Sequence, residues 1–361
     1  MKNNSLNIGI EGTCLLGEGA GVERYTYNLI RELSNIDRND KFHILYPKWS
    51  FLKKSGIDFK QHNIIEHRLP GNIENSLDLY HNTCGNACRQ SKIKVVTVHD
   101  LSPLTIPDLV SDIKKSHFEK VFIPFVSSSD HIIATSNNTK KDIVKHLNIS
   151  EDKISVIYEG VGEDFKPQPH YIVDLIKTRY GIKRKYILYA GSLDERKNIK
   201  GILEAFAKIK FEIRPELVIV GQIKNMKEAL NSMAKKLGIE SKIKYLGYID
   251  KKDLPALYSG ADALVWPSFY EGFGLPLLEA MSCSTAIITS KNSSIPEVVG
   301  NSAILIDPLN TDEIAASITA VITDEGMRSL MKQKSYTESK KFSARKMATE
   351  TLGIYRKVSK R

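Results

Sequence analysis

Two glutamates bracket the run Glu271-Gly-Phe-Gly-Leu-Pro-Leu-Leu-Glu279, with Gly272, Gly274 and Pro276 between them. The apolar segment Ala263-Leu-Val-Trp266 just before it predicts a buried parallel strand. Pro276 suits the first turn of a helix, where a missing N–H costs nothing. The expected order is strand, glycine-bearing loop, then a helix whose first backbone N–H groups point outward and attract anions, phosphates above all. A carboxylate beside a phosphate is costly unless it accepts hydrogen bonds from neutral hydroxyls. Sugars and ribose supply such hydroxyls, so the pattern predicts a sugar-nucleotide site. Two ordinary surface glutamates would leave the glycines and the proline unexplained.

Further chemistry-bearing residues fall at predicted strand ends. Gly191 and Ser192 close one strand and open a turn, and Arg196 and Lys197 follow before a helix starting near Asn198. Two cations there could neutralise a departing diphosphate. A solvated pair is the bland alternative, but a cation at a helix start opposes the dipole and needs another reason to be there. His99 follows a buried strand and precedes Asp100, which either orients it or caps the loop. Gly17-x-Gly19-x-Gly21 offers a side-chain-free approach to a diphosphate through Gly19 and Gly21, or serves only the turn. Valine at position 22 breaks the dinucleotide fingerprint. No two aspartates are separated by one residue. The Asp-x-Asp metal clamp of many sugar transferases is thus missing, and no metal site is expected.

The elements that must position these residues alternate. Strands are predicted at 93–98, 131–135 and 153–157, with Ser136 capping an amphipathic helix from Asn138 to Leu147. Further strands are predicted at 186–190, 217–220, 243–246, 263–266, 286–289 and 303–306. Alternation of this kind argues for α/β architecture: two Rossmann-like doubly wound domains facing across a cleft, with ligands at strand carboxyl ends. Phe165-Lys-Pro-Gln-Pro169 marks the boundary, giving 1–168, 169–342 and a last segment 343–361. The length of 361 residues fits two domains.

Composition narrows the class. No run approaches the roughly 20 apolar residues needed to span a bilayer, and the amino terminus lacks a signal-peptide core. Cys14, Cys84, Cys88 and Cys283 are too few for a disulfide scaffold. Cys84-x3-Cys88 lacks a second ligand pair, so reduced thiols in a cytoplasmic protein are expected. Net charge is +10, yet residues 1–170 hold 21 basic and 21 acidic residues, so the excess lies beyond them. Residues 332–361 alone carry ten basic residues against Glu338 and Glu350. That tail is a solvated helix face, or else a contact for an anionic membrane or a lipid-diphosphate. It is not interleaved with aromatics as a nucleic-acid binder would be.

The spaced glutamates resemble the Glu-x7-Glu signature of retaining glycosyltransferases of family 4, which have the two-domain GT-B fold. Gly17-Glu-Gly-Ala-Gly-Val-Glu-Arg-Tyr25 and Val98-His-Asp-Leu-Ser-Pro103 resemble that family's acceptor-side motifs. Gly191-Ser-Leu-Asp-Glu-Arg-Lys-Asn198 and Asp307-Pro308 resemble its donor-side motifs. The most similar subgroup contains bacterial mannosyl- and rhamnosyltransferases of surface-polysaccharide (O-antigen) assembly. The resemblance implies that Glu271 contacts the transferred sugar, Glu279 the ribose, and His99 the donor sugar near the reacting carbon. His81 matches a position near the acceptor. The amides of Phe273, Gly274 and Leu275 are the expected phosphate donors, while Leu277 and Leu278 belong to the core. The helix at about 344–358 resembles one that crosses back to the first domain.

The expected activity is metal-independent hexosyl transfer with retention, from a nucleoside-diphosphate sugar to a lipid-diphosphate-linked glycan. GDP-mannose is the favoured donor and a UDP-sugar its rival; no further cofactor and no nucleic-acid partner are expected. Expected localisation is cytoplasmic, with possible peripheral contact at the inner membrane face. An NAD-dependent oxidoreductase and a catalytically silent glycan- or lipid-binding scaffold are the readings from other classes.

Overall fold

Short runs buried on both faces, most of them rich in β-branched and aliphatic residues, form the central strands of the computed structural model. It describes residues 5–17, 21–47, 59, 61–68, 73, 76–85, 91–221 and 226–360. The chain divides into two compact units, Met1–Gly160 with Phe342–Arg361, and Val161–Lys341. The sequence placed its boundary at 165–169, a little beyond the first of these crossings.

The first unit holds β1 (Asn7–Glu11), β2 (Lys41–Tyr46), β3 (Ile64–Arg68), β4 (Leu79–Asn82), β5 (Lys94–Val98), β6 (His131–Ala134) and β7 (Ile154–Val156). They pair in parallel in the order β3-β2-β1-β4-β5-β6-β7. Direction of progression reverses between β1 and β4, the switch point where open α/β sheets take ligands. One face of this sheet packs Ile8, Ile10 and Phe42 against Tyr25, Leu29 and Leu33 of the Gly21–Ile36 helix. Met347, Ala348, Tyr355 and Val358 of the Ala344–Val358 helix join the same core. Arg356 at the end of that helix donates to Asp37 at 2.7 Å and Asp40 at 2.6 Å. At least this tail cation is spent inside the unit.

The second unit holds β8 (Tyr186–Ala190), β9 (Glu216–Val220), β10 (Ile243–Gly247), β11 (Ala263–Trp266), β12 (Ile287–Ser290) and β13 (Ala303–Ile306). Their parallel order is β10-β9-β8-β11-β12-β13, the doubly wound arrangement, with its switch point between β8 and β11. Strands β8, β11 and β13 have the predicted bounds, and the others shift by a residue or two. Ser136 caps the Asn137–Leu147 helix as predicted, its side chain accepting from the Thr139 amide. No helix among the described residues is long and apolar enough to cross a membrane.

Candidate functional site

In the second unit, β8 and β11 end side by side, and the loops that leave them interlock. After β8, Glu195–Lys197 form a single 3-10 turn. Asn198, in the left-handed conformation at φ 56°, then caps the Ile199–Lys208 helix by accepting from the Gly201 amide. After β11, the chain runs beneath that turn: the Phe269 amide donates to the Arg196 carbonyl at 2.8 Å, and Ser268 Oγ donates to it at 3.1 Å. The loop carrying Glu271 is thereby fixed to the loop carrying the two cations.

Glu271 is the centre of the cluster. Its Oε1 accepts from Lys197 Nζ at 2.6 Å and from the Trp266 indole N–H at 2.9 Å. Arg196 lies 3.8 Å from Oε2 and 3.4 Å from Asp194. Lys197 Nζ also sits 5.2 Å from the Trp266 ring centroid, and Tyr189 stacks on that indole with centroids 4.9 Å apart. The backbone of Glu271 is held too: its amide donates to Ser293 Oγ and its carbonyl accepts from Ser294 Oγ. Both Lys197 and Glu271 are buried. Burial pushes the Lys197 amine down and Arg196 adds to that, so Glu271 only partly restores it and the group stays below the ordinary lysine range. Burial pushes the Glu271 carboxyl up, but Lys197 and Arg196 outweigh it and hold it below its usual value.

Gly274 ends the loop at φ +101°, a conformation that excludes most side chains, and caps the Leu275–Ser282 helix with Pro276 in its first turn. The predicted phosphate donors Phe273, Gly274 and Leu275 therefore do sit at a helix start beside Glu271. Gly191 and Ser192 lie on the other side. A Cβ on Gly191 would come within 2.4 Å of the Trp266 ring, so the indole itself requires the glycine. Ser192 Oγ bonds Asp194 at 3.1 Å. Glu279 is buried under its own helix, accepting from the Tyr258 hydroxyl at 2.9 Å.

The first unit gathers a second group at the ends of β1, β4 and β5. His99 Nδ1 lies 2.8 Å from Glu159 Oε1, and its Nε2 lies 2.8 Å from the Thr83 carbonyl. Tyr25 meets the ring edge-on at 4.8 Å. Burial alone would lower the imidazole, yet the hydrogen bond and charge of Glu159 outweigh it and raise it above the ordinary histidine value. Asp100 caps the following turn, accepting from the Ser102 amide and hydroxyl at 2.9 Å and 2.7 Å. His81 is a core residue: its nitrogens contact Tyr355 Oη at 2.6 Å and Thr97 Oγ1 at 2.8 Å, and burial lowers it to about 3. That corrects its expected place near an acceptor. Gly21 starts its helix and is exposed, whereas Gly19 lies outside the described residues. So does Cys88; Cys84 instead pairs with Cys14, thiol to thiol. Among the described residues no three His, Cys, Asp or Glu side chains form a group that could hold a metal.

Sequence reasoning missed Glu159, Trp266 and the Ser293-Ser294 pair. Glu159 had a weak signal, a carboxylate and a glycine directly after a predicted strand. The indole N–H had none.

Comparison with known proteins gives this geometry a family. Residues 174–338 match the model for glycosyl transferases group 1, and residues 76–165 that for glycosyltransferase family 4. The O-antigen chain mannosyltransferase B of Escherichia coli is 32% identical over 265 residues, covering 73% of this chain and 70% of the relative. The chain belongs to glycosyltransferase family 4. A second relative of this glycosyltransferase, from Campylobacter jejuni, is 27% identical over 247 residues, 66% of this chain and 64% of its own. Its name is N-acetylgalactosamine-N,N'-diacetylbacillosaminyl-diphospho-undecaprenol 4-alpha-N-acetylgalactosaminyltransferase. Sucrose-phosphate synthase of Thermosynechococcus elongatus superposes with a TM-score of 0.81 at 17% identity, over 98% of this chain and 99% of that one. The glycosyltransferase has the GT-B fold.

Proposed function

We propose that this glycosyltransferase moves mannose from GDP-mannose to a lipid-diphosphate-linked oligosaccharide, with retention at the anomeric carbon, in assembly of a cell-surface polysaccharide such as O-antigen. The observation that carries the donor site is the Arg196–Lys197–Glu271 cluster at the β8/β11 switch point, beside the Leu275 helix start. The name of the E. coli relative supports mannose and O-antigen, and that of the C. jejuni relative supports a diphospho-lipid acceptor.

In this scheme the diphosphate lies on the amides near Gly274 and against Arg196 and Lys197. Those cations stabilise the charge that grows as the sugar–phosphate bond breaks. Glu271, fixed by Trp266, accepts from the sugar hydroxyls, and Glu279 from the ribose. The leaving phosphate oxygen takes the acceptor proton, so the protein supplies orientation and charge instead of a nucleophile. Metal independence is supported by Arg196 and Lys197, which bring positive charge to the cluster without an ion. The basic tail supports peripheral contact with the inner membrane face, in a salt-sensitive manner.

A thermal-shift panel of GDP- and UDP-sugars, followed by acceptor-dependent nucleotide release in excess chelator, tests these points. Stabilisation by GDP-mannose and turnover that survives the chelator are expected. Stabilisation by UDP-sugars alone would replace the donor. Complete loss with chelator would overturn the metal-free scheme, and binding without turnover would leave a scaffold.

A further inference from the structure

The environment of His99 decides its protonation state from geometry alone. A neutral imidazole has one N–H and one bare nitrogen, and the bare nitrogen needs a donor. Neither ring nitrogen of His99 faces one. Thr83 presents a backbone carbonyl oxygen at 2.8 Å, which can only accept. Glu159 presents a carboxylate oxygen at 2.8 Å. The ring is mostly enclosed and the carboxylate buried, at side-chain exposures of 17% and 7%, so water offers little alternative. A neutral ring here would set two lone pairs against each other at hydrogen-bond distance.

We propose that Glu159, together with the Thr83 carbonyl, holds His99 as an imidazolium with both N–H groups committed, so that His99 acts as a fixed cation and not as a proton acceptor. Glu159 is then a positioning residue acting through His99. The proposal builds on the transferase reading above, which supplies the turnover against which the charge of His99 is read.

The surroundings agree. From the β1 side comes Cys14, from the Gly21–Ile36 helix Tyr25, from β4 His81, and from the ring's own loop Asp100. Asp100 favours the charged ring, and Tyr25 is neutral, raised chiefly by burial. Of these groups Glu159 alone is a carboxylate in hydrogen-bond contact with the ring. It is also the residue just before Gly160, where the first unit ends. The segment after β7 is therefore tied to the site histidine by this bond, beside the one that Asn28 gives the Gly160 carbonyl.

The test uses full-length protein labelled with 15N-histidine and two-bond proton–nitrogen correlation spectra, with Glu159→Gln beside the wild type. In the wild type, His99 should stay doubly protonated well past pH 6.5, the ordinary value. In Glu159→Gln its midpoint should fall by at least about one pH unit. With GDP-mannose as donor, the alkaline limb of kcat should move down by a similar amount while donor KM stays within about twofold, and Glu159→Asp should restore much of it. A wild-type ring that is neutral at pH 7 overturns the proposal, whether or not the variant folds. A midpoint that moves without the kcat limb reduces Glu159 to packing and overturns its positioning role. The spectra need no substrate, so failure of GDP-mannose to react would strike the donor assignment and leave the protonation result standing.

Discussion

The two units bury the same kind of pair, a cation against a carboxylate at a strand's carboxyl end, and they tune it in opposite directions. His99 faces Glu159 and a carbonyl, both of which favour the charged ring, and together they raise the imidazole against its burial. Lys197 shares Glu271 with Arg196, which also pairs with Asp194, and there burial together with the neighbouring guanidinium lowers the amine. Sequence distance hides this similarity, since each pair joins loops far apart in the chain. The difference teaches what each site lacks. The first unit's pair is complete without a ligand. In the second, burial and a neighbouring cation work against the charged amine, so a further anion such as the diphosphate proposed above would favour it.

Lys197→Ala is the largest way to break the comparison. It leaves Glu271 with Arg196 at 3.8 Å as its nearest cation. Turnover should drop by roughly 10² or more, the size seen when a charge-stabilising donor is lost. Circular dichroism should show an unchanged fold, and near-normal turnover would remove Lys197 from the site. Trp266→Phe is gentler, keeping a ring beside Tyr189 and deleting the N–H at 2.9 Å from Glu271. A hydrogen bond to a charged group contributes about 1.5–3 kcal/mol. Loss of at least about tenfold in kcat is expected if that bond matters in the transition state. Equal kcat would mean that the two serines and Lys197 hold Glu271 unaided.

How much of this was legible depended on what the sequence has to say locally. The second unit's strands were, because the central ones β8, β9, β11 and β12 are short, largely apolar runs buried almost throughout, as parallel sheets demand. Strand β3 was not: Ile64-Ile-Glu-His-Arg68 is an edge strand, half-buried and charged at its end. The Glu271 loop and its helix were legible because glycine and proline punctuate the backbone at fixed places. Gly191 was expected to serve a ligand, and the structure gives it a packing reason, the Trp266 ring. Contacts across long separations were not legible. Nothing local to Glu159 announces His99, sixty residues earlier along the chain, and Tyr355 gives no hint that its hydroxyl completes the hydrogen bonding of His81.

That last contact offers a smaller test, confined to the first unit. Tyr355→Phe leaves a buried His81 nitrogen without its partner at 2.6 Å. A cost of about 1–3 kcal/mol in urea unfolding is expected. The stabilisation of the second unit by nucleotide sugar should be unchanged, because the Lys197–Glu271 pair is untouched. A lost nucleotide effect would mean that the two pairs are not independent.

The smallest effect concerns pH, and it separates the units by their histidines. Among the residues of Val161–Lys341 the sequence has one histidine, the exposed His170. The first unit buries His43, lowered to about 4 by burial and by His67 at 2.8 Å, and His81, lowered to about 3 by burial. Above the unfolded value of 6.5 both are neutral whether folded or not, and stability is indifferent to them. Below it the unfolded chain takes up protons that the folded one refuses, so stability falls as pH drops from 6.5 toward 4 for His43, and toward 3 for His81. His99 has the opposite sign: its contribution is complete below 6.5 and is lost as pH rises through its raised folded value, so it gives no relief from further acidification. The slope is at most roughly 1.4 kcal/mol per pH unit for each lowered histidine. Hydrogen exchange read by mass spectrometry, corrected for the intrinsic rate at pH 7 and pH 5, should therefore show the β1, β2 and β4 peptides loosening in acid while β8 and β11 hold. Uniform loosening of both sheets would mean that carboxylates, not these histidines, set the acid limit, and that the units' opposite tuning stops at their active pairs.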